Sequence, residues 1–182
     1  MSTAILVIDL INEFVTGRLG DPRAEAVVKV VKQVLDVARS KGFHIVYITD
    51  SHLLGDKEYE LWGKHAKAGT SGAMIVPELE PKESDFHLYK RRYSAFYGTG
   101  LDALLRDLCV EHVVLTGVLT NICIQHTAAD AYYRNYKVIV PRDCVDALSD
   151  KEQTKSLEFM KRMYGIEETS SEKLLDSWRN SV

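Results

Sequence analysis

The sequence predicts an α/β fold, a doubly wound three-layer sandwich around a mostly parallel central sheet, with one domain over residues 1–182. Three observations predict it. Short apolar runs rich in β-branched residues alternate with segments of helical periodicity, the pattern of repeated strand–helix–strand units. The runs are apolar at consecutive positions, as strands covered on both faces are. Asp9, Asp50, Lys90 and Cys123 each follow such a run. Right-handed crossovers would carry all four to the rim at the carboxyl ends of the strands, where open α/β sheets bind ligands.

The first predicted strand is Ala4 to Ile8, with Asp9 at its end. Asp21-Pro22 supplies an N-cap and a proline at the first helical position. Ala26, Val27, Val30, Val31, Val34, Leu35 and Ala38 then recur at helical spacing until Lys41-Gly42 stops the helix. Phe43 to Thr49 is the second strand. Residues 51–84 have little strand pattern and carry Gly55, Gly63, Gly69, Gly72, Pro77 and Pro81; a connection this long in a compact domain usually has a function. Asp85 to Tyr89 is a short third strand, Leu101 to Cys109 a helix, and His112 to Thr116 a fourth strand. After the turn at Gly117 a helix runs from Ile124 to about Asn135, followed by a fifth strand, Tyr136 to Val140. Ser149-Asp150 caps a helix from about Lys151 to Tyr164. Ile166 to Thr169 reads as an edge strand and Ser171 to Arg179 as a closing helix.

Composition narrows the functional class. The chain of 182 residues can build one substantial core and is short for two. Its net charge is −3 and its longest basic cluster is Lys90-Arg91-Arg92, so no nucleic-acid footprint is expected. No apolar run reaches membrane-spanning length. The start of the chain, cut by Asp9, reads as a strand and not as a leader. The three cysteines, Cys109, Cys123 and Cys144, lie far apart without a CxxC pair, which argues against a disulfide framework and fits a reducing cytoplasm. Cys109 and Cys144 read as packing residues.

Two constellations converge on the predicted rim. In the first, Cys123 stands on the first turn of a helix, where unpaired N–H groups and the macrodipole favour thiolate. Cysteine is equally a small buried apolar residue, and Asp9 and Lys90 taken singly read as a turn residue and a solvated cation. Together they form a nucleophile, a proton acceptor and a cation, a set able to perform acyl transfer. The turn from Val118 to Cys123 can offer the Leu119 and Cys123 N–H groups to an oxyanion. In the second, Asp50, His52, Glu58 and His65 offer mixed carboxylate and imidazole ligands suited to one divalent ion, Zn first, with Fe or Mn as alternatives. A D-x-H pair and a loop histidine are also ordinary surface features.

The motif residues resemble those of the isochorismatase-like cysteine hydrolases, and within them the nicotinamidase/pyrazinamidase branch. Asp9-Leu10-Ile11-Asn12-Glu13-Phe14 is similar to a D-x-Q-x-D-F segment. Lys90-Arg91-Arg92-Tyr93-Ser94-Ala95-Phe96 resembles the catalytic-lysine segment, and Gly117-Val118-Leu119-Thr120-Asn121-Ile122-Cys123 the nucleophile segment. The resemblance implies an isochorismatase-type, Rossmann-like sandwich. It also implies Asp9 as base, Lys90 as electrostatic partner, Cys123 as nucleophile, and a cis peptide joining Val118 to Leu119.

Glu58-Tyr59-Glu60-Leu61-Trp62-Gly63-Lys64-His65 is similar to the metal loop of nicotinamidases, with Glu60 competing with Glu58 for the carboxylate position. Phe14, Trp62 and Tyr97 fall where the resemblance puts aromatic walls around a flat ring, though core packing would use the same residues. The implied reaction is hydrolysis of nicotinamide, a small amide, by a homo-oligomer, dimer or tetramer. Hydrolases of maleamate, ureidoacrylate or N-carbamoylsarcosine share the triad, isochorismatase shares the fold, and a scaffold subunit would keep the fold alone. Ile11, Leu119 and His126 depart from the residues common at those positions, which bears on the pocket's shape.

Overall fold

The computed structural model describes residues 2–180. Strand β1 (Ser2–Ile8) is followed by a short helix, α1 (Asn12–Val15), and by α2 (Pro22–Ser40). Strand β2 (His44–Asp50) leads into the long connection, which holds α3 (Glu58–Trp62) and two 3₁₀ turns, Ser71–Ala73 and Pro77–Leu79. Then come β3 (Phe86–Lys90), α4 (Leu101–Asp107) and β4 (Val110–Val118). A π-turn (Thr120–Ile124) enters α5 (Gln125–Tyr133), followed by β5 (Lys137–Pro141) and β6 (Val145–Asp146). The remaining elements are α6 (Asp150–Tyr164), β7 (Glu167–Thr169) and α7 (Ser171–Asn180).

Among the described residues seven strands form one sheet in the order β3-β2-β1-β4-β5-β7, with β6 paired to β4 off this path. Every strand pairing is parallel, more uniform than the mostly parallel sheet expected. Alternate residues of β1 feed two cores. Ala4, Leu6 and Ile8 pack with Leu105, Ile124, Ala128 and Met160 from the α4, α5 and α6 side. Ile5 and Val7 pack with Val31, Leu35 and Trp178 from the α2 and α7 side. Both faces of the sheet are therefore buried, which is why the strands read as continuous apolar runs. No helix among the described residues is long and apolar enough to cross a membrane.

Several boundaries differ from the sequence reading for local reasons. β3 starts at Phe86 because the Asp85 carboxylate accepts from Lys82 N at 2.8 Å and pairs with Arg39 Nη2 at 2.6 Å, which holds Asp85 outside the strand. The one-residue shift makes Lys90 the last strand residue, in register with Asp50. β4 runs on to Val118 because its pairing with β5 stops at Val114, leaving Gly117 and Val118 to pair with β6. That extension brings Asp146 and the residues after it to the rim. Asn135, at φ 65°, terminates α5 sooner than periodicity implied. Cys144 is buried, but Cys109 is exposed, at φ 52° in the turn before β4, and is not a packing residue.

Candidate active site

The rim forms where β1, β2, β3 and β4 end. Gly117 has φ 117°, and a Cβ there would stand 1.9 Å from Ile8 O, so only glycine lets β1 and β4 close at this point. Beyond it the Val118–Leu119 peptide is cis. The π-turn then carries Cys123 back over the end of β1. Leu119, the residue after the cis bond, lines the same cavity as Cys123. Asp9 is held at φ 57°, its N–H bonded to Ile48 O at 3.1 Å and its Oδ1 accepting from Asp50 N at 2.8 Å. A non-glycine residue in this conformation persists only where its surroundings over-determine it.

The structure brings the first constellation together. Lys90 Nζ lies 2.7 Å from Asp9 Oδ2, 2.6 Å from Asp50 Oδ1 and 3.6 Å from Cys123 Sγ. Lys90 thus stands between the Asp9 carboxylate and the Cys123 sulfur. Burial, together with the Asp50 carboxylate, pushes Asp9 up to about 6 against the pull of Lys90. Burial alone would lower Lys90, but Asp50 and Asp9 outweigh it and hold the ammonium charged. Burial also pushes the Cys123 thiol well up, with the carboxylates adding to it and Lys90 opposing. This opposes the expectation that the helix start favours thiolate: burial beside two carboxylates pushes the thiol the other way. Its proton has an acceptor in Asp9, and its anion has a counter-ion in Lys90.

The second constellation is also assembled. Asp50, His52, Glu58 and His65 are all buried, with ligand atoms within 4.8 Å of one another, whereas Glu60 is exposed on the far side of α3. His52 Nδ1 is tied to Asp56 Oδ2 at 3.0 Å and His65 Nδ1 to Gly63 O at 2.7 Å. Second partners of this kind orient ligating imidazoles. His52 Nε2 is buried without a hydrogen-bond partner, 3.5 Å from Asp50 Oδ2 and 3.7 Å from Glu58 Oε2, both too long for hydrogen bonds. Two imidazoles, two carboxylates and an orphaned ring nitrogen fit a borderline divalent cation. Burial would raise Asp50, but Lys90 and His52 hold it below the usual carboxylate range; burial and Asp50 raise Glu58.

One cavity is lined by members of both constellations: Asp50, Glu58 and His65 of the ligand cluster, and Cys123 with Leu119 and Val118. Phe14 and Trp62 are in its wall, as the resemblance implies. Tyr97 is not: it is 66% exposed, and this corrects its assignment as a pocket residue. Ser94 Oγ donates to Asp130 Oδ2 at 2.5 Å and Ala95 N to Thr127 Oγ1 at 3.0 Å, anchoring the segment to α5 and turning Tyr97 out to solvent. Tyr93 lines the wall instead and accepts a hydrogen bond from Trp62 Nε1 at 3.0 Å. Its position in the same segment as Lys90 was the available signal.

Sequence reasoning also missed the charged end of the cavity. Arg23, Asp21 and Asp146 line it, and Arg23 Nη2 reaches Asp146 at 2.8 Å and Asp150 at 2.7 Å. These contacts join residues more than a hundred positions apart, and no local pattern signals them.

Residues 3–172 match the isochorismatase domain. The N-carbamoylsarcosine amidase of Thermoplasma acidophilum is 40% identical with a TM-score of 0.89, over 94% of this chain and 97% of that one. The pyrazinamidase/nicotinamidase of Streptococcus mutans UA159 is 36% identical with a TM-score of 0.85, over 92% and 99%. The pyrazinamidase of Pyrococcus horikoshii, solved in complex with zinc, is 27% identical with a TM-score of 0.86, over 93% and 99%.

Proposed function

The chain belongs to the isochorismatase family of hydrolases, and from that premise we propose that it is a metal-dependent cysteine amidohydrolase converting nicotinamide to nicotinate and ammonia. The observation that carries the reading is the shared cavity, lined by Cys123, by three residues of the four-residue ligand cluster and by aromatic side chains. Phe14, Trp62 and Tyr93 suit a flat ring.

The charges favour a neutral substrate. Among the described residues lining the cavity, Arg23 is the lysine- or arginine-type cation, and it is engaged by Asp146 and Asp150 with Asp21 beside it. Maleamate, ureidoacrylate and N-carbamoylsarcosine each carry a carboxylate that would need an uncommitted cation here.

In the mechanism Asp9 takes the thiol proton while Lys90, beside both groups, stabilises the thiolate. The sulfur adds to the carboxamide carbon, and the Leu119 and Cys123 N–H groups hold the oxyanion. Protonated Asp9 returns its proton to the leaving nitrogen, releasing ammonia and leaving a thioester on Cys123. Asp9 then deprotonates a water that attacks the thioester carbonyl, and collapse restores the thiol and frees nicotinate. Asp50, His52, Glu58 and His65 would hold a divalent ion, zinc foremost, which would supply a Lewis acid toward the substrate ring.

The test is ammonia release from nicotinamide by purified protein before chelation, after it, and after divalent metal is restored. Turnover lost on chelation and regained with metal supports the reading. Folded, metal-loaded protein that releases no ammonia from nicotinamide would overturn the substrate assignment, and hydrolysis of maleamate or ureidoacrylate in its place would redirect it to the anionic amides.

A further inference from the structure

Asp50 is one of two carboxylates that join the ligand cluster to the end of β3. The other, Asp56, lies outside both constellations. It is buried, and its acceptor capacity is heavily used: Oδ2 faces His52 Nδ1 at 3.0 Å, Leu53 N at 2.9 Å and Arg91 Nε at 3.0 Å. Oδ1 accepts from Arg91 Nε at 3.1 Å and also from Arg91 Nη2. Arg91 directly follows Lys90, so a single carboxylate ties the histidine of the ligand cluster to the strand end that delivers the ammonium of the catalytic corner.

This arrangement fixes the state of His52. An ionised carboxylate only accepts, so the ring must present Nδ1 as N–H to Asp56. The lone pair of the neutral ring then sits on Nε2, the atom that lacks a hydrogen-bond partner and lies between Asp50 and Glu58. Arg91 in turn orients the Asp56 carboxylate plane through a fork of two N–H groups.

We propose that Asp56, clamped by Arg91, is a positioning residue: it sets the His52 tautomer required for divalent-cation binding and couples the cation site to the β3 end that carries Lys90. The inference rests on the metal reading above. It concerns residues that touch neither substrate nor ion.

Its test uses zinc alone and needs no substrate. The full chain is stripped of metal, and Zn²⁺ affinity is measured by competition with a chromophoric chelator for wild type, Asp56→Asn, Arg91→Ala and Arg91→Lys. The thermal midpoint of each metal-free protein is read in parallel. Asp56→Asn is expected to weaken zinc binding about 10- to 100-fold, because an amide can donate to Nδ1 and stabilise the wrong tautomer. Arg91→Ala, whose side chain is 49% exposed, provides a second probe should Asp56→Asn fold poorly, and it is expected to weaken zinc binding by a smaller factor. Arg91→Lys should recover part of that loss. Nitrogen-15 NMR of the wild-type zinc complex should show His52 protonated at Nδ1.

Asp56→Asn or Arg91→Ala protein that stays folded and binds zinc within about two-fold of wild type would overturn the proposal. So would variants that lose stability while their zinc affinity is unmoved. Wild-type protein that binds no zinc would overturn the metal reading itself, a result distinct from equal binding by wild type and variants.

Discussion

The two corners of the rim handle buried charge in opposite ways. In the Asp9–Lys90–Cys123 corner the chain supplies its own counter-ion, and one ammonium stands within 2.7 Å of two carboxylates and beside the sulfur. In the Asp50–His52–Glu58–His65 corner the side chains present two carboxylates and two imidazoles around a ring nitrogen that has no partner. Asp50 belongs to both, one oxygen facing Lys90 and the other facing His52. The difference teaches that the first corner is preorganised by the protein alone, whereas the second is shaped for a cation from outside. Buried charge that is unpaired is too costly to persist without a role.

The comparison can be broken first at the sulfur. Cys123→Ala should cut ammonia release by at least about 10⁴-fold, the scale seen when a covalent nucleophile is removed. Its zinc affinity should stay within about two-fold of wild type, because the cation corner does not include the thiol; a large fall in affinity would show that the corners are not separable. The next effect is at Lys90. Lys90→Met removes the internal counter-ion and leaves Asp9 and Asp50 facing each other in a buried site, and unpairing of this kind typically costs about 3–5 kcal/mol. Urea unfolding of the metal-free protein reads it, and a loss under about 1 kcal/mol would contradict the view that the first corner depends on its own cation.

The cation corner should respond to metal instead. Zinc at about 100 times its dissociation constant should raise the unfolding free energy of wild type by about 2.7 kcal/mol. His52→Ala should lose most of that gain, measured against its own metal-free baseline. Equal stabilisation of both proteins would place the ion elsewhere.

The convergence of Asp9, Asp50, Lys90 and Cys123 was legible because strand ends are marked by local pattern and the topology of parallel sheets does the rest. His52, Glu58 and His65 were legible as ligand types, and burial separates Glu58 from Glu60 in a way that composition could not. The ionisation of Cys123 was misread because the helix start is a local feature, while the desolvation that opposes it comes from the whole fold. Asp56 with Arg91, and Arg23 with Asp146, join distant segments, so neither pair leaves a spacing for periodicity to detect. Tyr97 was misplaced for a related reason: its direction is set by the anchoring of Ser94 and Ala95 to α5, a contact across 36 and 32 positions.

The smallest effect sharpens the comparison most finely. Trp62 stands on the loop of the cation corner and Tyr93 follows Lys90, so the hydrogen bond from Trp62 Nε1 to Tyr93 Oη, 3.0 Å long, spans the mouth between the two corners. Tyr93→Phe keeps the aromatic wall and removes only that link, for which a net contribution of about 0.5–1.5 kcal/mol is usual. If the walls orient a flat ring between the nucleophile and the ion, this variant should raise KM by up to about ten-fold with little change in kcat. Tyr97→Phe, altered at a solvent-facing ring, should leave both parameters as they are. An equal effect of the two substitutions would remove Tyr93 from the pocket wall, and a fall in kcat alone would mean that the link aligns the reacting groups and does not hold the ring.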